Sequence, residues 1–178
     1  MIPEHYPVEA GKIFAGEYPG ARSSERAGAR LKCLADMGIR TFVDLTAIAD
    51  DMAPYEDLLA AHAGPDGAPQ RHWKPIDDMS VPDSPEAMRE ILEIIRESHV
   101  AGRPVYIHCW GGIGRTGTVV GCWLRERGLG PDEALAEVSR LYRGNMAKSK
   151  WNPDSPQTAR QREFVRKWMP ENEKGGPG

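Results

Sequence analysis

The chain has 178 residues, 40% of them hydrophobic, and a formal net charge of −3 at pH 7. That length supports one well-filled core, so a single domain over 1–178 is expected, with 1–10 and 170–178 peripheral or flexible. The acidic balance argues against nucleic acid as a partner, and no apolar run approaches the ~20 residues that cross a bilayer.

The N-terminus lacks the basic and apolar regions of a secretory signal. Three cysteines are an odd, sparse count that suits a reducing compartment, so a cytoplasmic location is expected. The five histidines show no metal-ligand spacing, with neither H-E-x-x-H nor C-x-x-C, and no metal or other cofactor is expected.

In chain order, a Pro-rich lead-in precedes a short strand at 12–15. A helix is predicted over 23–37, with Leu31, Leu34 and Met37 on one face and Gly38 as its stop. Residues 40–45 form a buried strand type, 54–62 a short helix, 64–69 a turn-rich loop and 72–76 a strand. Ser84 caps a helix that has Pro85 at its first position and Met88, Ile91, Leu92 and Ile95 at helical spacing. A strand at 105–108 follows, then helices near 115–127, 131–143 and 156–169. The alternation predicts an α/β fold, a mostly parallel central sheet with helices on both faces. Ligands of such sheets bind beyond the carboxyl ends of the strands.

The most informative segment lies there. Residues 108–117 read His-Cys-Trp-Gly-Gly-Ile-Gly-Arg-Thr-Gly, between the last strand and the helix after it. A sharp strand-to-helix turn aims loop amides at one point, and helix N-termini attract anions. Gly111, Gly112 and Gly114 let the loop curl, and Arg115 supplies a planar fork matched to two phosphate oxygens. The same positive field favours the thiolate of Cys109, so one loop holds a nucleophile and a cradle for a tetrahedral anion.

A dinucleotide fingerprint competes, because 112–117 is also G-x-G-x-x-G, with Asp132 about twenty positions on. That acid should end a second strand. Gly130-Pro131-Asp132 reads instead as a helix start, and nothing in a nucleotide loop calls for Cys109. Cys33 and Cys122 sit in helical patterns beside apolar neighbours, where packing is their expected role.

The loop resembles the signature of the cysteine-dependent protein tyrosine and dual-specificity phosphatases: His-Cys, any five residues, Arg, Ser or Thr, Gly. His108, Cys109, Arg115, Thr116 and Gly117 meet every fixed position. The resemblance implies that Cys109 attacks phosphorus and Arg115 holds the equatorial oxygens. Thr116 then eases departure of the thiolate, and His108 fixes the loop and helps keep Cys109 ionised. Trp110, Gly111, Gly112, Ile113 and Gly114 would line the phosphate site; the Trp110 indole could flank a substrate ring or brace the loop.

Further segments echo the same family. Residues 75–82, Pro-Ile-Asp-Asp-Met-Ser-Val-Pro, resemble the general-acid loop of small dual-specificity phosphatases, and alignment on the residues before the turn favours Asp78 over Asp77. Gln157 matches a glutamine that positions the hydrolytic water, or it is a solvated residue of a helix's first turn. Asp44 orients the phosphate loop or serves only a turn.

The likeness runs from about Gly11 to Trp168 and is nearest the compact dual-specificity group. It implies a monomeric phosphatase of phosphoprotein, with phosphotyrosine foremost and phosphoserine or phosphothreonine as further substrates. Two alternatives are a pseudophosphatase that binds phosphoresidues without turnover, and a phosphatase of another monoester such as an inositol phosphate. The loop carries no lysine, which disfavours inositol phosphates.

Overall fold

The structure is a computed structural model and describes residues 2–171. Five strands form one sheet in the order β1-β2-β5-β3-β4. They are β1 (His5–Glu9), β2 (Ile13–Gly16), β3 (Thr41–Asp44), β4 (Gln70–Trp73) and β5 (Val105–His108). β1 runs antiparallel to β2, and the pairs β2–β5, β5–β3 and β3–β4 are parallel. β5, the strand that leads into the cysteine loop, is therefore central.

Side chains alternate across the sheet and build a core on each face. Phe42 and Tyr106 pack with Leu31 and Leu34 of α1 (Ser24–Asp36) and with Tyr55 and Leu59, around α2 (Glu56–Leu59). Val43, Val105 and Ile107 point the other way. They meet α3 (Pro85–Val100) and α4 (Gly114–Glu126), and α5 (Pro131–Asn145) and α6 (Ala159–Lys167) pack on α4 to extend the same core. This is the expected architecture, a mostly parallel sheet covered on both sides.

The predicted caps form. Ser84 Oγ accepts from the Ala87 N–H at 3.1 Å, and Met88, Ile91, Leu92 and Ile95 are the buried face of α3. Gly38, at φ +89°, ends α1 in the left-handed conformation that glycine adopts without strain.

Some boundaries differ from expectation. The lead-in expected to be peripheral contains β1, and Tyr6 within it is fully buried. Alternation in His5–Glu9 is broken by Pro7 and by a register shift between Pro7 and Glu9, which hides the strand from a periodicity reading. β4 ends at Trp73 rather than 76, although the N–H groups of Lys74 and Ile76 still donate to Asp44 O (2.8 Å) and Leu45 O (3.1 Å), and Pro75 between them falls on the open edge of the sheet, where no N–H is needed. α6 starts at Ala159 rather than 156, where Thr158 and Gln161 form a reciprocal capping box. The predicted helix at 54–62 is one α-turn continued by a 3-10 turn at Ala60–His62. From residue 172 the expected C-terminal tail lies outside the described residues.

Candidate active site

Cys109 leaves the sheet at the carboxyl end of β5, and Gly114 begins α4. The loop between them is pressed against a neighbouring strand. Gly112 has φ +72°, and a Cβ there would stand 2.3 Å from the carbonyl carbon of Gly16, the last residue of β2. Only glycine fits that approach. Neighbouring segments then hold the loop's carbonyls. The Tyr18 N–H donates to Trp110 O (3.0 Å), Lys148 Nζ to Gly111 O (3.2 Å) and Ser155 Oγ to Ile113 O (2.8 Å). With those carbonyls engaged, the amides at the start of α4 are left to meet an anion.

Cys109 and Arg115 share a cleft of about 110 Å³ with Trp110, Gly111, Ile113 and Gly114. Asp78 and Met79 close one side, and Asn152 and Gln157 also line it. Cys109 and Arg115 are buried, whereas Trp110 is 64% exposed, so its indole stands at the mouth rather than bracing the loop from within.

The segment 75–82, expected to carry the general acid, contains a tight turn. The Ser80 N–H donates to Asp77 O at 3.0 Å, and Met79 takes φ +59°, an uncommon conformation for a side chain of its size. The turn sets Asp78 Oδ1 3.2 Å from Arg115 Nη2. Asp78 lines the cleft and Asp77 does not.

Arg115 is held from several sides. Nη1 donates to Asp50 Oδ2 (2.6 Å) and to Ile76 O (3.0 Å), and Nη2 donates to Asp50 Oδ1 (3.0 Å). Burial alone would raise the Asp50 pKa. The hydrogen bond and charge of Arg115, with the Ala47 N–H, outweigh it and hold the carboxyl below the usual range.

His108 is fully buried. Nε2 lies 2.7 Å from the Tyr55 hydroxyl, and Nδ1 lies 3.4 Å from Cys109 O and 3.8 Å from Asp44 Oδ1. Burial lowers its pKa although Asp44 pulls the other way, which leaves the ring neutral at pH 7. A neutral His108 steadies the loop through hydrogen bonds rather than through charge. Asp44 is likewise buried and does not line the cleft. It accepts from Arg71 Nε (2.8 Å) and from the Thr46 N–H (2.8 Å) and hydroxyl (2.6 Å), shaping the exit of β3 beside His108.

Thr116 Oγ1 is buried, with no hydrogen-bond partner among the described residues. Gln157 lines the cleft, and its backbone N–H donates to Gln161 Oε1 (3.1 Å). Cys33 and Cys122 are free thiols, and burial pushes Cys122 well above the usual thiol range. Among the described residues no group of three His, Cys, Asp or Glu side chains could hold a metal ion.

Sequence reasoning missed Asp50, Tyr55, Asn152 and Gln161. Thr158-x-x-Gln161 is a legible capping box and could have located the last of these. The others reach the site only through tertiary folding.

A cysteine–arginine loop between a central parallel strand and a buried helix is the arrangement of cysteine-dependent tyrosine and dual-specificity phosphatases. The chain belongs to the DSP-PTPase phosphatase family of polymorphic toxin systems, whose model matches residues 18–128. It is 28% identical over 170 residues to the 067L protein of Invertebrate iridescent virus 3, which carries a tyrosine-phosphatase name. That match covers 90% of this chain and 63% of the viral protein. The chain thus spans less than two thirds of that relative. Receptor-type tyrosine-protein phosphatase R of Homo sapiens is 33% identical over 96 residues, 49% of this chain and 13% of the human protein. Among solved structures, Tk-PTP in its active form is 29% identical with a TM-score of 0.71, covering 97% of this chain and 98% of that one. Kinase associated phosphatase, with serine in place of its catalytic-site cysteine, has a TM-score of 0.75 at 17% identity, covering 98% and 97%, a likeness of fold alone.

Proposed function

We propose that this chain hydrolyses phosphoprotein monoesters, phosphotyrosine foremost, through a phosphocysteine intermediate. The observation that carries the reading is the single cleft shared by Cys109, Arg115 and Asp78. Phosphate binds to the loop amides and Arg115. The Cys109 thiolate forms an S–P bond as the P–O bond to the leaving group breaks, and Asp78 gives its proton to the departing oxygen. Asp78, now a carboxylate, takes a proton from a water placed by Gln157. That water's oxygen bonds to phosphorus as the S–P bond breaks, and Thr116 Oγ1 stabilises the departing thiolate.

Loop composition supports a protein substrate over a highly phosphorylated small one. Residues 110–114 contain no cation, and Lys148, which reaches Gly111 O, is engaged by Glu17 at 2.6 Å. No helix among the described residues is long and apolar enough to cross a membrane. Three free thiols suit a reducing compartment, and a cytoplasmic location is the proposed one.

A substrate panel tests the assignment: p-nitrophenyl phosphate, phosphotyrosine and phosphothreonine peptides, and inositol phospholipids, each against Cys109→Ser. Turnover of aryl and peptide phosphates that disappears in the variant is expected. A clear preference for inositol lipids would overturn the protein assignment, and binding without turnover in the wild type would make the chain a phosphoresidue-binding module.

A further inference from the structure

Three cavities meet at the Trp110 indole. One is the cleft of Cys109 and Arg115. Two others, of about 220 and 320 Å³, share Trp110, Tyr18 and Met52 as walls and form one trough beside the cleft. The trough lies among the segments that leave β2 and β3 and the loop that leaves β5, on the same carboxyl-end face of the sheet as the cysteine. No step of the reaction above uses it.

The floor of the trough is fixed. Tyr18 is 5% exposed; its N–H donates to Trp110 O at 3.0 Å and its hydroxyl to Ala53 O. Its ring packs edge-on against Tyr55 and His108, with centroids 5.6 and 5.5 Å away. The ring that braces His108 therefore also sets the trough against the cleft.

The ionic groups around the trough are paired off. Glu17 holds Arg30 at 2.7 Å and, with Glu4, engages Lys148 at 2.6 and 3.7 Å. Arg22 and Asp51, which form no ion pair among the described residues, are one charge of each sign. What the trough presents is apolar: the rings of Trp110 and Tyr18, and the Met52 thioether, which adapts to the shape of a guest.

We propose that this trough is a substrate subsite that takes a large apolar side chain, aliphatic or aromatic, one or two residues from the phosphotyrosine. The inference rests on the phosphatase reading above and extends it from the phosphate to the sequence around it. A phosphoprotein that seats its phosphate on Cys109 carries its chain over the rim, and one indole separates cleft from trough. Extended chain advances about 3.5 Å per residue, so a near neighbour reaches across. Burial of that side chain against Met52 and Tyr18 is binding energy that a small aryl phosphate cannot use.

The test uses phosphotyrosine peptides in which each of the two positions on either side is Gly, Glu, Leu or Phe in turn. Two quantities are read: kcat/KM of the wild type divided by its value on p-nitrophenyl phosphate, and Kd for the Cys109→Ser protein. At one of those positions Leu or Phe should exceed Gly and Glu by about tenfold to a hundredfold in both quantities. Met52→Glu should erase the preference. Ala53→Glu should do the same, since residue 53 lines the trough and is exposed, so the substitution adds a charge there without disturbing the core.

Equal values for the four side chains at every position would overturn the proposal, as would an apolar preference that both variants retain. A preference for Glu would overturn it too, giving the trough to Arg22 and Arg30. Faster turnover of phosphoinositide vesicles than of any of these peptides would assign the trough to a lipid chain and overturn it. A wild type inactive on every substrate would instead defeat the phosphatase reading, and the Cys109→Ser affinities would still decide the subsite.

Discussion

Gln161 ties the turn that carries Asp78 to the helix behind the cleft: its Nε2 donates to Ser80 O at 2.9 Å. Its Oε1 accepts the N–H groups of Gln157 and Thr158 at 3.1 and 3.0 Å. One fully buried side chain therefore spans the turn that carries Asp78 and the segment that carries Gln157. Gln161→Leu would leave the Ser80 carbonyl and two helix-start N–H groups unpaired, at about 1–3 kcal/mol for each group that water cannot reach. Asp78 would then be less well placed. The expected result is a lower Tm and a loss of about tenfold on phosphotyrosine peptide, with a smaller loss on an aryl phosphate whose leaving group needs little protonation. Equal losses on both substrates would detach Gln161 from the acid step.

Asp78→Asn should cost about 10² to 10⁴-fold on phosphotyrosine peptide and much less on substrates with good leaving groups. Substrate binding should survive, which makes the variant a trap. Asp77→Asn should be mild, since Asp77 contributes its carbonyl to the turn and does not line the cleft. Leaving-group plots for the two variants decide the point, and a steep plot for Asp77→Asn instead would move the acid by one residue.

The fold and the chemistry of the loop were legible for a common reason: both are written in local spacing. The helical set at Met88, Ile91, Leu92 and Ile95, the Ser84 cap and the His108–Gly117 run each encode their structure within a few turns of chain. Asp50 was illegible because its partner is 65 residues away and its own neighbourhood reads as an ordinary loop. Tyr55 meets His108 across 53 residues, in a stretch whose helical signal is one turn long. β1 was missed because its stability comes from pairing with β2 and from burial of Tyr6, neither of which shows in a five-residue run containing proline.

Glu17 gives a pH signature to stability. Burial would raise its pKa, but the hydrogen bond and charge of Lys148, the Glu4 N–H and the charge of Arg30 outweigh this and hold it below the ordinary value. A carboxylate whose folded pKa is depressed contributes stability that is present above its unfolded pKa and lost as pH falls through the folded value. Thermal melts of wild type and Glu17→Gln should therefore differ by a few degrees at pH 7, for a loss of about 1–2 kcal/mol. The two curves should converge as pH drops below the usual carboxylate range. A gap that persists unchanged well below that range would mean that the contribution is packing rather than charge.

The central claim is that Cys109 carries the phosphoryl group. Rapid quench of the wild type with a phosphate-labelled aryl ester should show a burst of leaving group and label bound to protein, with the label on the peptide that contains Cys109. Asp78→Asn with a good leaving group should accumulate more of it, because the same carboxylate serves the hydrolysis step, and Cys109→Ser should show none. Turnover in Cys109→Ser, or hydrolysis by the wild type with no label on Cys109, would contradict the account.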